Sequence, residues 1–130
     1  MAFSNRFLVI DDSYIDRLVS GMLIRRTYNV TDVHEVAGGQ QGLEWLQAQA
    51  ISAENPVIIL LDIMMPQMNG FEFLEAFDKL DQHIRDNTCI VMLSSTLDHD
   101  DMKRANKHPS VKKLLSKPLS ANELKEFLQP

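Results

Sequence analysis

Two periodicities take turns along the chain. Short apolar runs of strand length alternate with stretches whose apolar residues recur every three or four positions. The strand-like runs are Arg6 to Ile10 (R-F-L-V-I), Asp32 to Val36 (D-V-H-E-V), V-I-I-L-L from Val57 into Asp62, Cys89 to Leu93 (C-I-V-M-L) and Val111 to Leu115 (V-K-K-L-L). The first and third read as buried strands, whereas the second alternates apolar and polar as an edge strand does. Between them, Ile15, Leu18, Val19, Met22 and Leu23 form one apolar helix face ending near Tyr28. Leu43, Leu46 and Ala50 are spaced inward on a second helix, and Phe73, Phe77, Leu80 and Ile84 line a third. A thin fourth helix, about 97–107, offers only Leu97, Met102 and Ala105. The last carries Leu124, Phe127 and Leu128.

The punctuation agrees with this division. Ser13 with Asp16, and Ser120 with Glu123, stand three apart as capping-box partners do, the first with Asp in place of Glu. Gly38-Gly39, Asn55-Pro56, Asp86-Asn87 and His108-Pro109 mark turns or breaks. Five strands alternating strictly with five helices predict an α/β fold, a parallel sheet covered on both faces and joined by right-handed crossovers. No linker, repeat or low-complexity stretch intervenes. The expectation is a single domain over residues 1–130 with no output domain.

Composition narrows the function classes. A formal charge of −5 gives no electrostatic reason to expect nucleic-acid binding. No apolar stretch is long enough to span a membrane, and F-L-V-I runs straight into two aspartates, which excludes a secretory leader. The expected setting is cytoplasmic. The single cysteine, Cys89, lies in an apolar run and reads as a buried, inert thiol. His34, His83, His99 and His108 show no metal-ligand spacing and read as surface or edge residues. Lys112-Lys113 and Arg25-Arg26 read as solvated pairs.

Chemistry gathers where the strands end. Parallel strands point their carboxyl ends to one edge, where open α/β sheets bind ligands. The residues at those ends are Asp11-Asp12, Asp62, Ser94-Ser95 and Lys117-Pro118. Neighbouring strands lie ~5 Å apart, so three carboxylates, a hydroxyl and an ammonium can converge. Bare carboxylates that close raise one another's pKa, and a hard divalent cation resolves the conflict. Mg²⁺ takes one or two carboxylates and keeps waters and phosphate oxygens. Lys117 and Ser94 suit a phosphoryl group lying between metal and lysine. The set fits a phosphoryl-accepting aspartate: a nucleophile with charge neutralisation on the moving oxygens.

These residues resemble the receiver domain of bacterial two-component response regulators, in the single-domain form typified by the chemotaxis regulator. The matching motifs are F-L-V-I-D-D at 7–12, L-L-D-I-M-M-P-Q-M-N-G at 60–70, V-M-L-S-S at 91–95 and L-S-K-P-L at 115–119. The resemblance implies a flavodoxin-like, doubly wound (βα)5 three-layer sandwich with sheet order 2-1-3-4-5. It implies that Asp62 receives phosphate from a phosphohistidine of a sensor histidine kinase or a histidine phosphotransfer protein, and so switches binding to a downstream protein or relays phosphate. It further implies Mg²⁺ (Mn²⁺ substituting) held by Asp12 directly, by Asp11 mainly through water, by Asp62 and by the backbone carbonyl of Met64. Lys117 would pair with the phosphoryl oxygens, the Lys117–Pro118 bond would be cis, and Ser94 would be the switch hydroxyl.

The chain departs from the family pattern at the switch aromatic, which is Leu114 here, so signalling would run through Ser94 and the 95–107 segment. Met64 and Thr96 stand where the family tunes water access to the phosphoaspartate. Neither carries a carboxylate or carboxamide, so slow self-dephosphorylation is expected and no dedicated enzyme activity. The alternative is a pseudo-receiver, an interaction module that accepts no phosphate; the intact Asp12, Asp62, Ser94 and Lys117 argue against it. An aspartyl-phosphate hydrolase commonly needs a second carboxylate two residues past the nucleophile, where Met64 stands.

Overall fold

The computed structural model describes residues 6–127. The inward places expected for the Phe127 side chain and for Leu128 lie outside the described residues. Five parallel strands form one sheet in the order β2-β1-β3-β4-β5. They are β1 (Arg6–Ile10), β2 (Val33–Val36), β3 (Val57–Asp62), β4 (Thr88–Ser94) and β5 (Val111–Ser116). The helices are α1 (Tyr14–Tyr28), α2 (Gly39–Ala48), α3 (Gly70–Phe77), α4 (Gln82–Asp86), α5 (His99–Lys107) and α6 (Ala121–Phe127). This is the flavodoxin-like order 2-1-3-4-5.

Strand periodicity splits the buried residues into two cores, one on each face of the sheet. Leu8, Ile10, Ile59, Leu61, Ile90 and Met92 point to the larger core, under α2, α3, α4 and α5. The intervening Phe7, Val9, Ile58, Leu60, Val91 and Leu93 point to the smaller one, under α1 and α6. A register shift between Ile90 and Val91 pairs Val111 with Ile90 and Lys113 with Val91, which leaves Lys112 as the extra residue. That bulge lets Val111 and Leu114 share the larger core while Leu115 enters the smaller. It explains how V-K-K-L-L, with no regular alternation, builds a strand.

Two expectations are corrected. Most of the apolar stripe of α1 does not pack on the sheet: Ile15 is 62% exposed and Val19 52%, and Leu18 and Met22 also face outward, while Leu23 packs against the smaller core. The buried residues of α1 are Ser20, Gly21 and Ile24. Small residues win this face because the helix runs close over the sheet. A Cβ on Gly21 would collide with the Glu35 carboxylate on β2, and Arg25 reaches over to pair with Glu35 at 3.2 Å. The expected single third helix is two: α3 ends at Phe77 and α4 restarts at Gln82. The stripe survives the break, because Phe73, Phe77 and Ile84 are all buried in the larger core and Leu80 packs against it.

Candidate phosphoryl and metal site

Register brings the strand ends level. Ile10 lies beside both Val36 and Leu61, Asp62 beside Leu93, and Ser94 beside Ser116. The next residue along β1 is Asp11, and the next along β5 is Lys117. The ladder runs one step past β3, with the Ile63 N–H donating to Leu93 O at 3.0 Å. Gly70 then ties the loop back, its N–H donating to Ile63 O at 2.9 Å. A Cβ at Gly70 would lie 2.9 Å from the Ile63 Cα and 3.1 Å from the Asp62 carbonyl oxygen. So glycine is needed for close backbone approach. Asn69 caps α3 in a reciprocal capping box with Glu72, which fixes the far end of the loop.

Asp11 and Asp62 are buried, at 1% and 3% exposure, whereas Asp12 is exposed. Carboxylate oxygens of all three lie within 4.8 Å of one another. The Lys117 ammonium is 2.9 Å from Asp11 Oδ2, 2.9 Å from Asp16 Oδ2 and 3.3 Å from Asp62 Oδ1. The Ser13 N–H donates to Asp11 Oδ1 at 2.9 Å, and the Arg17 guanidinium holds the Asp11 carbonyl at 2.8 Å. Asp62 accepts a longer bond from the Met64 N–H, 3.4 Å.

The electrostatics follow from this crowding. Burial, and then the charge of Asp11, push the Asp62 carboxyl up to about 6, with Lys117 pulling the other way. For Lys117, burial opposes its charge. Hydrogen bonds to Asp11 and Asp16, and the charges of Asp11 and Asp62, outweigh that and hold it above its ordinary value. Two or three crowded oxygen donors with one lysine still leave an excess of negative charge. That donor set fits Mg²⁺, an oxygen-seeking ion that tolerates few protein ligands.

The other residues singled out in the sequence divide. The Lys117–Pro118 peptide is cis. Ser94 is buried, but its hydroxyl is turned to its own loop, donating to Thr96 O at 2.5 Å and accepting from Thr96 N at 3.2 Å. Met64 projects its side chain outward, 68% exposed. Met65 packs into the core, as does Leu114 at 3% exposure. Cys89 is half-buried, and burial pushes its thiol up. His34 stacks on Trp45 at 5.4 Å, and His108 pairs with Asp78 at 2.7 Å.

The sequence pattern marks Asp16 only as a helix-start residue. Half of that holds: the Asp16 N–H donates to Ser13 Oγ at 3.2 Å. Its carboxylate, however, goes to Lys117. No local signal marks that partner, because Ser13 already accounts for Asp16 at the helix start.

The sequence matches the response regulator receiver domain over residues 7–129, and the chain belongs to that family. It is 32% identical to a two-component response regulator from Cytophaga hutchinsonii, with a TM-score of 0.85 over 95% of this chain and 92% of that one. It is 24% identical over 126 residues to sporulation initiation phosphotransferase F of Bacillus subtilis, covering 97% of this chain and 92% of that protein. It is 34% identical over 90 residues to a protein-glutamate methylesterase/protein-glutamine glutaminase of Treponema denticola, covering 69% of this chain but only 22% of that protein. Receiver domains of this type are phosphoryl-accepting signalling modules. They bind Mg²⁺ at an acidic pocket, and they interact with histidine kinases or phosphotransfer proteins and with downstream targets. Among the described residues, no helix is long and apolar enough to cross a membrane.

Proposed function

We propose that this chain is a stand-alone receiver whose Asp62 accepts a phosphoryl group from a phosphohistidine of a sensor histidine kinase or a histidine phosphotransfer protein. One observation carries the reading: three carboxylates lie within 4.8 Å of one another, and the two buried ones, Asp11 and Asp62, share a single lysine. One Asp62 oxygen attacks phosphorus, a P–O bond forms as the P–N bond breaks, and the imidazole leaves to take a proton from solvent. Asp11, Asp12, Asp62 and the Met64 carbonyl would hold Mg²⁺, which when bound supplies charge neutralisation on the moving oxygens. Lys117 supplies the second positive charge. Ser94 would have to leave Thr96 to donate to the phosphoryl group. The downstream target is a protein, reached by switched binding or by phosphate relay.

The test is incubation with Mg²⁺ and acetyl phosphate, read by intact mass. An adduct of one phosphoryl group, lost in Asp62→Asn, is expected. No adduct where a control receiver reacts would leave only the phosphate-independent interaction module, and an adduct surviving in Asp62→Asn would move the acceptor elsewhere. The adduct should also decay slowly for a receiver, because exposed Met64 and Thr96 carry no carboxylate or carboxamide to orient a water. Met64→Asn should shorten its lifetime several-fold; an unchanged lifetime would remove Met64 from the explanation.

A further inference from the structure

We propose that Asp16 is a positioning residue for Lys117: a competing counter-ion that the lysine gives up when Asp62 is phosphorylated. This rests on the reading of Asp62 as the acceptor. An ammonium has three N–H donors and no more. Here three carboxylates surround it, with Asp11 and Asp16 at 2.9 Å and Asp62 at 3.3 Å. The lysine therefore leans on Asp11 and Asp16, and its donors are committed before any phosphoryl group arrives. The third donor faces Asp62 at the longest of the three distances, so a phosphoryl group there draws the ammonium toward itself and away from one of the two nearer carboxylates.

The three partners differ in what release would cost. The Asp11 side chain is 2% exposed, and an unpaired buried carboxylate is expensive. Asp62 is the group being modified. The Asp16 side chain is 44% exposed, so water can replace the ammonium at once. Asp16 is the partner to leave. It stands on α1 beside a groove of about 390 Å³ that it lines with Val19, Leu93, Ser95, Lys117 and Pro118. Its release would change the charge of the α1 surface directly, a route that needs no aromatic at Leu114. In the resting protein the same contact holds Lys117 partly away from Asp62 and so opposes the phosphorylated state.

Beryllofluoride with Mg²⁺, a phosphoryl mimic, tests this by titration. If the wild type forms no adduct, the acceptor reading itself fails and the inference falls with it. If the wild type binds, Asp16→Asn should bind about threefold more tightly, the gain expected for deleting one half-exposed competing ion pair. Asp16→Glu, which keeps the charge, should return toward wild-type binding. Equal or weaker binding by a folded Asp16→Asn overturns the inference, because a brace or a mere helix cap would give that result. A second measurement needs no substitution at Asp16. The ¹³Cγ signal of Asp16 in the wild type should move when the adduct forms and stay fixed when the reagent is added to Asp62→Asn. An unmoved signal in the wild-type adduct overturns the inference equally.

Discussion

Asp62 carries the sharpest consequence at the scale of single residues. Its folded pKa of about 6 lies above its ordinary value of 3.8. The native state therefore holds this proton more tightly than the unfolded chain does. The stability contributed by the protonated form is complete at low pH and is lost as pH rises from about 4 to about 6. The loss is on the order of 3 kcal/mol, given about 1.4 kcal/mol per unit. In chelator at pH 7.5, Asp62→Asn should then melt several degrees above the wild type, although it accepts no phosphate. Equal or lower melting would mean that Lys117 already compensates the buried charge. Adding Mg²⁺ should raise the wild type and leave Asp62→Asn nearly where it was, because the ion stabilises only the state that binds it. The acids are legible in the sequence because an unbroken apolar run fixes where its strand ends, and Asp11 and Asp62 stand at such ends. Asp16 is not, because Ser13 offers a local reason for it. Its actual partner, Lys117, is 101 residues away.

Among the elements, α1 is where sequence and fold part company. Its five-residue apolar stripe has the spacing of a buried face, but only Leu23 of it reaches the smaller core, and the helix lies on the sheet through Ser20, Gly21 and Ile24. Hydropathy cannot report a face chosen for closeness, since serine and glycine score as polar or neutral while permitting tight approach. Ile24→Ala should cost about 2–4 kcal/mol by opening a hole in the smaller core. Val19→Gln should change stability by less than about 0.5 kcal/mol, as surface substitutions do. Chemical denaturation of both variants decides the matter, and a large loss at Val19 would mean that the apolar stripe of α1 faces the sheet after all. The split of the expected third helix into α3 and α4 is illegible for a related reason. A stripe of apolar residues keeps its spacing across a short break when both pieces pack on the same core.

At the scale of the whole molecule, the alternation of strand and helix makes the parallel sheet legible from pattern alone, while the strand order comes from family resemblance. The two cores do not serve the sheet equally. Among the described residues, four helices cover one face, and α1 with α6 cover the other through far fewer buried side chains. Cooperative units open in order of how much apolar area holds them. Amide hydrogens of β1, β3 and β4 should exchange only when the entire chain unfolds. Those in the middle of α1 should exchange through a smaller opening that lifts this helix and α6 off the sheet. If α1 amides proved as slow as those of β3, the thinner face would be no weaker than the thick one. The helix that bears Asp16 would thus belong to a layer of the molecule that opens before the sheet does.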